Sequence, residues 1–289
     1  DIIPSSNIDN MMIIKSPTAE LPGDFSGGFI KISTKNMPDE NSLSLSVGTG
    51  INTVTHFKDF SLLQSSSTEW LGFDRCARPL SKDFPSHLGS ITDPSQITYY
   101  TKTGFNNDWN VKTFRPLPDL KLNLTWNRKI GDKVGTILTF GYSNANKTIP
   151  DMQNTRYGIY SATADVPTIE KNYIDNQFTN EVKINAMNNW SFILDSRNRF
   201  EFRNLFSQIG KNRFTERYGT STVSGEYYEN QTEMLYSSRL SYVGQLAGLH
   251  TLDEDMTQTL NWTVDYSYAN KMEPDRRIIK NIGGIPADK

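Results

Sequence analysis

The feature that most limits how this chain can fold is an alternation of apolar and polar residues with a period of two, and it recurs seven times. Successive side chains of a strand point to opposite faces, whereas a helix would need apolar residues three and four apart. In the first run Leu43, Leu45, Val47 and Ile51 alternate with Ser42, Ser44, Ser46, Gly48 and Gly50. Leu120, Leu122, Leu124 and Trp126 then alternate with Lys121, Asn123, Thr125 and Asn127, and Val134, Leu138, Phe140 and Tyr142 with Gly135, Thr139, Gly141 and Ser143. Val182, Ile184, Ala186, Trp190, Phe192 and Leu194 share a face opposite Lys183 and Asn185. Phe200, Phe202 and Phe206 oppose Glu201, Arg203 and Ser207, and Leu240 and Tyr242 continue the series more weakly. The last run sets Leu260, Trp262, Val264, Tyr266 and Tyr268 against Thr259, Asn261, Thr263, Asp265 and Ser267. The pattern predicts seven strands and no amphipathic helix.

The connections between these runs suggest how the strands are arranged. Residues 130–133 and 195–198 are predicted to be tight turns, and residues 246–256 join the last two strands. Longer connections are predicted over 52–117 and 149–177, with a shorter one near 217–225. Short turns on one side and long loops on the other are the habit of an outer-membrane barrel. The aromatics Trp126, Tyr142, Trp190, Trp262, Tyr266 and Tyr268 fall on the apolar faces, where interfacial girdles would form. A β-sandwich core also holds aromatics. The opposite faces of Ser, Thr, Asn, Gly and Lys suit either a sandwich surface or a wet lumen. The fold class expected is all-β, an antiparallel transmembrane β-barrel, with a soluble sandwich or solenoid as the alternative.

Composition narrows the functions without choosing between those folds. The apolar fraction is 36%, and the mean hydropathy is −0.55. Adding the 19 Gly raises the fraction to about 42%, below the ~45–50% of an ordinary soluble domain. A barrel whose strands are apolar on one face gives the same averages. No run approaches the ~20 apolar residues of a membrane-spanning helix. A net charge of −2 points to no nucleic-acid partner. The single cysteine, Cys76, excludes an intrachain disulfide and a Cys-rich metal site, and His56, His87 and His250 lack ligand spacing. Ser26 lacks the glycine two residues earlier that a nucleophile elbow needs, and no phosphate loop or zinc motif occurs. Residues 252–256 form an acidic cluster that reads as a solvated turn rather than a Ca²⁺ site, and Arg276-Arg277 reads as solvent-facing. The sequence thus predicts no enzyme, no metal and no cofactor.

Seven strands do not close a barrel, and an open sheet edge in lipid leaves amides unpaired. The strands from Ser42 onward use about 35 residues each, so a barrel of about 22 strands would need roughly 800 residues. The chain is therefore expected to be a piece of a longer protein. It starts at Asp1 with no apolar leader, so an export signal is expected to have been removed.

Residues before the first strand have a different character. Met11 to Ile14 is a short apolar run after which Lys15-Ser16-Pro17 makes a turn. Gly27-Gly28 precedes a second apolar run that ends in Thr34-Lys35. This stretch resembles the end of the plug domain of TonB-dependent receptors. Lys15 and Ser16 stand where arginine and glycine are usual, whereas Pro17, Gly27, Gly28, Thr34 and Lys35 match directly. Trp70 to Asp74 with Arg78-Pro-Leu80, and Tyr266 to Arg277, are similar to phrases of the large Bacteroidetes receptors. The resemblance implies that residues 1–38 are the end of a plug and residues 39–289 the N-terminal part of a barrel. It implies a transporter for a large or scarce solute, remodelled by TonB through a segment outside this chain. Outer-membrane lipids and lipopolysaccharide are the implied surroundings, and a capping surface lipoprotein is compatible with them. A barrel acting as an adhesin or secretion-complex subunit is the second reading, and a soluble glycan-binding sandwich the third. The substrate is not legible in these residues.

Overall fold

A computed structural model describes residues 8–16, 27–35, 37–63, 66–74, 78, 80–87, 89, 91–105, 108–223, 225–255 and 257–283. The predicted Pro17 and Cys76 lie outside them. The fold is dominated by antiparallel β-structure. A small pair, β1 (Ile8–Ile14) and β2 (Phe29–Thr34), precedes a long meander. The meander runs through β3 (Ser42–Gly50), β6 (Asp119–Ile130), β7 (Val134–Ser161), β8 (Val166–Ile193), β9 (Asn198–Ser221) and β10 (Tyr227–Thr251). It ends in β11 (Thr259–Met272) and β12 (Arg277–Gly283), both paired with β10. Between β3 and β6 lies an insertion carrying β4 (Phe60–Leu63), a 3₁₀ turn at Glu69–Leu71, α1 (Pro94–Thr103) and β5 (Val111–Phe114). No helix among the described residues is long and apolar enough to cross a membrane.

All seven predicted strands are present, but four are much longer than the alternation showed. β7 and β8 each run 28 residues, β9 runs 24 and β10 runs 25. The expected long connection over 149–177 is therefore corrected: it is the upper half of one hairpin, closed by residues 162–165. Pro150, which reads as a strand breaker, sits at a bulge between Ile149 and Met152, with Asp151 at φ 52. Pairing with β6 has already ended at Asn144, so the missing Pro N–H costs no ladder bond on that side. The stretch 217–225 likewise continues β9 to Ser221, and residues 246–251 stay in β10, so the connection starts only after Thr251.

β11 and β12 form one strand path. Met272 pairs with Ser238 and Arg277 with Met234, so five steps on one side face four on the other. The extra residue is a bulge over 273–276, with Asp275 at φ 58. The ladder thus has seven strand paths, with β3 and β11–β12 at its edges.

The helix α1 escaped the sequence reading because it shows no apolar stripe; none of its residues is buried. Its start is nonetheless written in Asp93-Pro94-Ser95. The Asp93 carboxylate accepts from Ser95 N at 2.9 Å, and Pro94 occupies the first turn.

The insertion packs on the sheet. Phe60 meets Phe178 edge to face at 5.5 Å, and Phe60, Leu62, Leu63, Phe214 and Met234 form a buried cluster. Beside it Gly72 lies against Gly210: a Cβ on Gly210 would stand 2.5 Å from the Gly72 Cα. Both positions therefore require glycine, and Gly72 additionally has φ +77. Replacing Gly210 with Ala is expected to lift the insertion and to cost about 1–3 kcal/mol, as overpacking does. Limited proteolysis within residues 64–90 should accelerate in that variant while the sheet stays intact.

Candidate functional surfaces

Residues paired across strands share a face, so the register sorts the sheet into two surfaces. One carries Leu43, Leu45 and Val47 of β3, Leu120 to Trp126 of β6, and Phe140, Ile184, Phe206, Tyr242, Val264 and Tyr266 farther along. Much of it is bare: Leu43 is 70% exposed, and Val264 and Tyr266 are 63% and 64% exposed. Such a contiguous apolar surface is not normal for a protein in water. The six predicted aromatics, Trp126, Tyr142, Trp190, Trp262, Tyr266 and Tyr268, all fall on this face. In register they spread over successive rows from the turn end upward.

At that turn end Trp262 joins Phe200 and His250 in a cluster. Trp262 lies across Gly248, where a Cβ would come within 2.4 Å of its ring. Its indole N–H donates to His250 Nε2 at 3.0 Å, and His250 Nδ1 pairs with Asn198 Oδ1 at 2.8 Å. Phe200 packs edge to face on His250 at 5.1 Å. The adjoining turn is closed by Asp195, whose Oδ1 accepts from Arg197 N at 2.8 Å and Asn198 N at 2.9 Å. The Asn198 side-chain amide, and then the Arg197 N–H, hold the Asp195 carboxyl below its ordinary value.

The opposite face is polar. It carries Ser42, Asn127, Thr139, Lys183, Asn185, Asn189, Arg203 and Gln245. Thr34 and Lys35 lie on it: Asn189 Nδ2 donates to Thr34 Oγ1 at 3.0 Å and to the Lys35 carbonyl at 3.3 Å. Pro38 is buried against Gly135, where a Cβ would be 2.8 Å from Pro38 Cδ. Of the other predicted motif residues, Lys15 is exposed just after β1, and Gly27 has φ +81. Gly28 follows it directly into β2, its Cβ position 3.9 Å from the Ile14 carbonyl oxygen of β1. Higher on the polar face a buried network joins Arg217 to Asp175 through two bonds of 2.7 Å. Beside it the Tyr173 hydroxyl donates to Glu229 at 2.9 Å, and Lys280 pairs with the same carboxylate at 2.7 Å.

The insertion covers the upper part of the apolar face. Asn212 donates to the Leu63 carbonyl and to Glu69, and Gln208 donates to the Gly72 carbonyl. Arg78 pairs with Glu69 at 2.8 Å and Asp74 at 3.1 Å, its guanidinium 4.7 Å above the Tyr236 ring. Sequence reasoning missed this contact. The signal was present in β9, where Gln208, Gly210 and Asn212 take the phase otherwise held by Phe200, Phe202, Phe206 and Phe214.

No group of three or more potential metal-ligating side chains occurs among the described residues. The Asp253 carboxylate is occupied by Thr257 and by Gln258 N at 2.9 Å, which makes it a turn-closing residue. Arg277 is not the solvent-facing residue expected: it is 5% exposed and stacked 4.7 Å over Trp109. Arg276 holds Glu233 at 2.8 Å. Comparison with family models, curated proteins and solved structures returned no match to this chain.

Two outcomes follow from the turn end. Gly248→Ala should force the Trp262 ring off its seat and break its bond to His250, read as a shift in tryptophan emission with the far-UV spectrum unchanged. Because the folded Asp195 pKa is depressed, its stabilising effect is complete above the unfolded value of about 3.9 and is lost as pH falls through the lower folded value. An Asp195→Ala variant should melt below wild type at neutral pH, and the two curves should converge in acid.

Proposed function

We propose that this chain is part of a TonB-dependent outer-membrane receptor, residues 1–38 being the end of the plug and 39–289 the first strands of its barrel. In this reading the protein takes up a large or scarce solute, and TonB acts on the plug to open the path. The observation that carries it is the pairing of opposite surfaces in one sheet. A bare apolar face lies within about ten residues of three short turns, the length that crosses hydrocarbon as tilted strands. Behind it lies a polar face that holds Thr34 and Lys35 through Asn189. A lipid-facing wall around a wet, plugged lumen asks for that combination.

The two sheet edges add to the case. β3 and β11–β12 end the ladder, and in a bilayer each edge must be paired, so closure needs further strands. The strand length beyond the apolar band fits hairpins that project outward from the membrane.

The test is the native polypeptide in a detergent-extracted outer-membrane fraction. A denatured mass well above twice 32.8 kDa, with faster migration when unheated, is the expected result. A product near that mass recovered without detergent would sink the reading, and the bare face would then have to meet a second sheet.

A further inference from the structure

The polar face carries a row of cations in excess of the carboxylates around it. The register sets Lys121 opposite Ser143, Ser143 opposite Lys183, and Lys183 opposite Ile209. Ile209 in turn lies opposite Arg239, and Arg239 opposite Lys271. Four cations and no carboxylate thus share one line across six strands. Neighbouring strands stand about 4.8 Å apart, so Lys121, Lys183 and the Arg239–Lys271 pair form three stations at intervals of about 10 Å. We propose that this row binds an elongated solute carrying two or more anionic groups, one group to a station. The proposal rests on the reading of this face as the wall of a lumen.

Three observations select such a solute. The first is uncompensated charge. Lys183, Arg239 and Lys271 line one cavity of about 480 Å³ together with Lys211 and Arg213, and two carboxylates, Glu181 and Glu273, line it with them. Glu181 is divided between Lys183 at 2.7 Å and Lys211 at 3.8 Å, and Glu273 takes Lys271 at 2.6 Å. Arg239 is exposed and has no ion-pair partner among the described residues. It stands directly opposite Lys271, a like-charge pairing that weakens a sheet. An anion that accepts from both side chains relieves it.

The second observation is the floor. Ile209 and Leu235 lie among the cations, so an uncharged segment between two anionic groups meets apolar surface there. The third is confinement. The next row toward the turns holds Asn123, Gly141, Asn185, Ser207 and Ser241 and carries no charge. Lys183 is six residues from Asn189, about 20 Å along the strand, so the row is clear of the contact with Thr34 and Lys35. A solute with one anionic group gains only one exposed contact of this kind, which contributes little. A solute that reaches two stations makes the second contact at high effective concentration.

The test uses the full-length receptor in neutral detergent at low ionic strength, with binding followed by titration calorimetry. The probes are sebacate, a dicarboxylate long enough to join two stations, succinate, which is too short, and monomethyl sebacate, which keeps the length and loses one charge. Sebacate is expected to bind about tenfold more tightly than either, and salt should weaken it. Lys183 is the middle station, so Lys183→Gln should bring sebacate down to the level of its monoester, and Lys183→Arg should restore it. Equal affinity for the three probes, or unchanged sebacate binding in Lys183→Gln, overturns the proposal. So does a wild type that binds none of them, the result expected if carboxylates of the plug occupy the row. Heat-modifiable migration is followed in parallel. If migration is normal and sebacate does not bind, only the assignment of the row fails; if wild type shows no heat-modifiable form, the barrel reading fails with it.

Discussion

Register is the constraint on which this structure depends. In a ladder with a side-chain period of two, a slip of one residue would carry every apolar side chain of a strand to the other face. Here a slip of β8 against β7 would move Ile184 and Trp190 among Lys183, Asn185 and Asn189, and would take away the amide that holds Thr34 and Lys35. The tight turns at one end fix the register from below. Asp195 closes one of them with its own carboxylate, and Gly131 at φ +60 opens another. Above, the bulges at Pro150-Asp151 and at 273–276 absorb one extra residue each without disturbing the pairing beneath them.

A second demand is placed on the same sheet where the insertion sits. Its seat is polar within an apolar phase, and close packing there depends on backbone meeting backbone at Gly72 and Gly210. The buried Arg78 keeps two carboxylates, Glu69 and Asp74, from facing each other without a counter-ion. Removing one member of such a group leaves an uncompensated buried charge, which is costly. The apolar face thus has two zones: a lower one left bare, and an upper one clad by the chain itself.

The lower half of this architecture was legible in the sequence, and the upper half was not. Leu43 to Val47, Leu120 to Trp126 and Leu260 to Tyr268 announce their faces because one side meets an apolar medium or core and the other does not. Above that level stretches such as Glu170 to Asn172 put polar residues on both faces, so the alternation fades although the hydrogen-bond ladder continues. The strand's passage through Pro150 depends on β6 having stopped at Asn144, a fact about a neighbour and not about the segment. The insertion's seat was hidden for a related reason. Gln208 and Asn212 interrupt the apolar phase of β9, and each serves a carbonyl of the insertion more than a hundred residues earlier in the chain. The six aromatics could be assigned to a face from parity alone, but the seating of Trp262 on Gly248 and against His250 and Phe200 needed the partner strands.

That distance in sequence has a kinetic side. The insertion, residues 51–118, leaves the ribosome before any of β8, β9 or β10 exists, yet Phe178, Gln208, Gly210, Phe214 and Met234 make the surface on which it rests. Its docking must wait until at least three later strands have paired, and closure of such long loops is slow. Until then Phe60, Leu62 and Leu63 are uncovered, so this early-made segment is among the last to reach its place and depends longest on whatever escorts the unfolded chain.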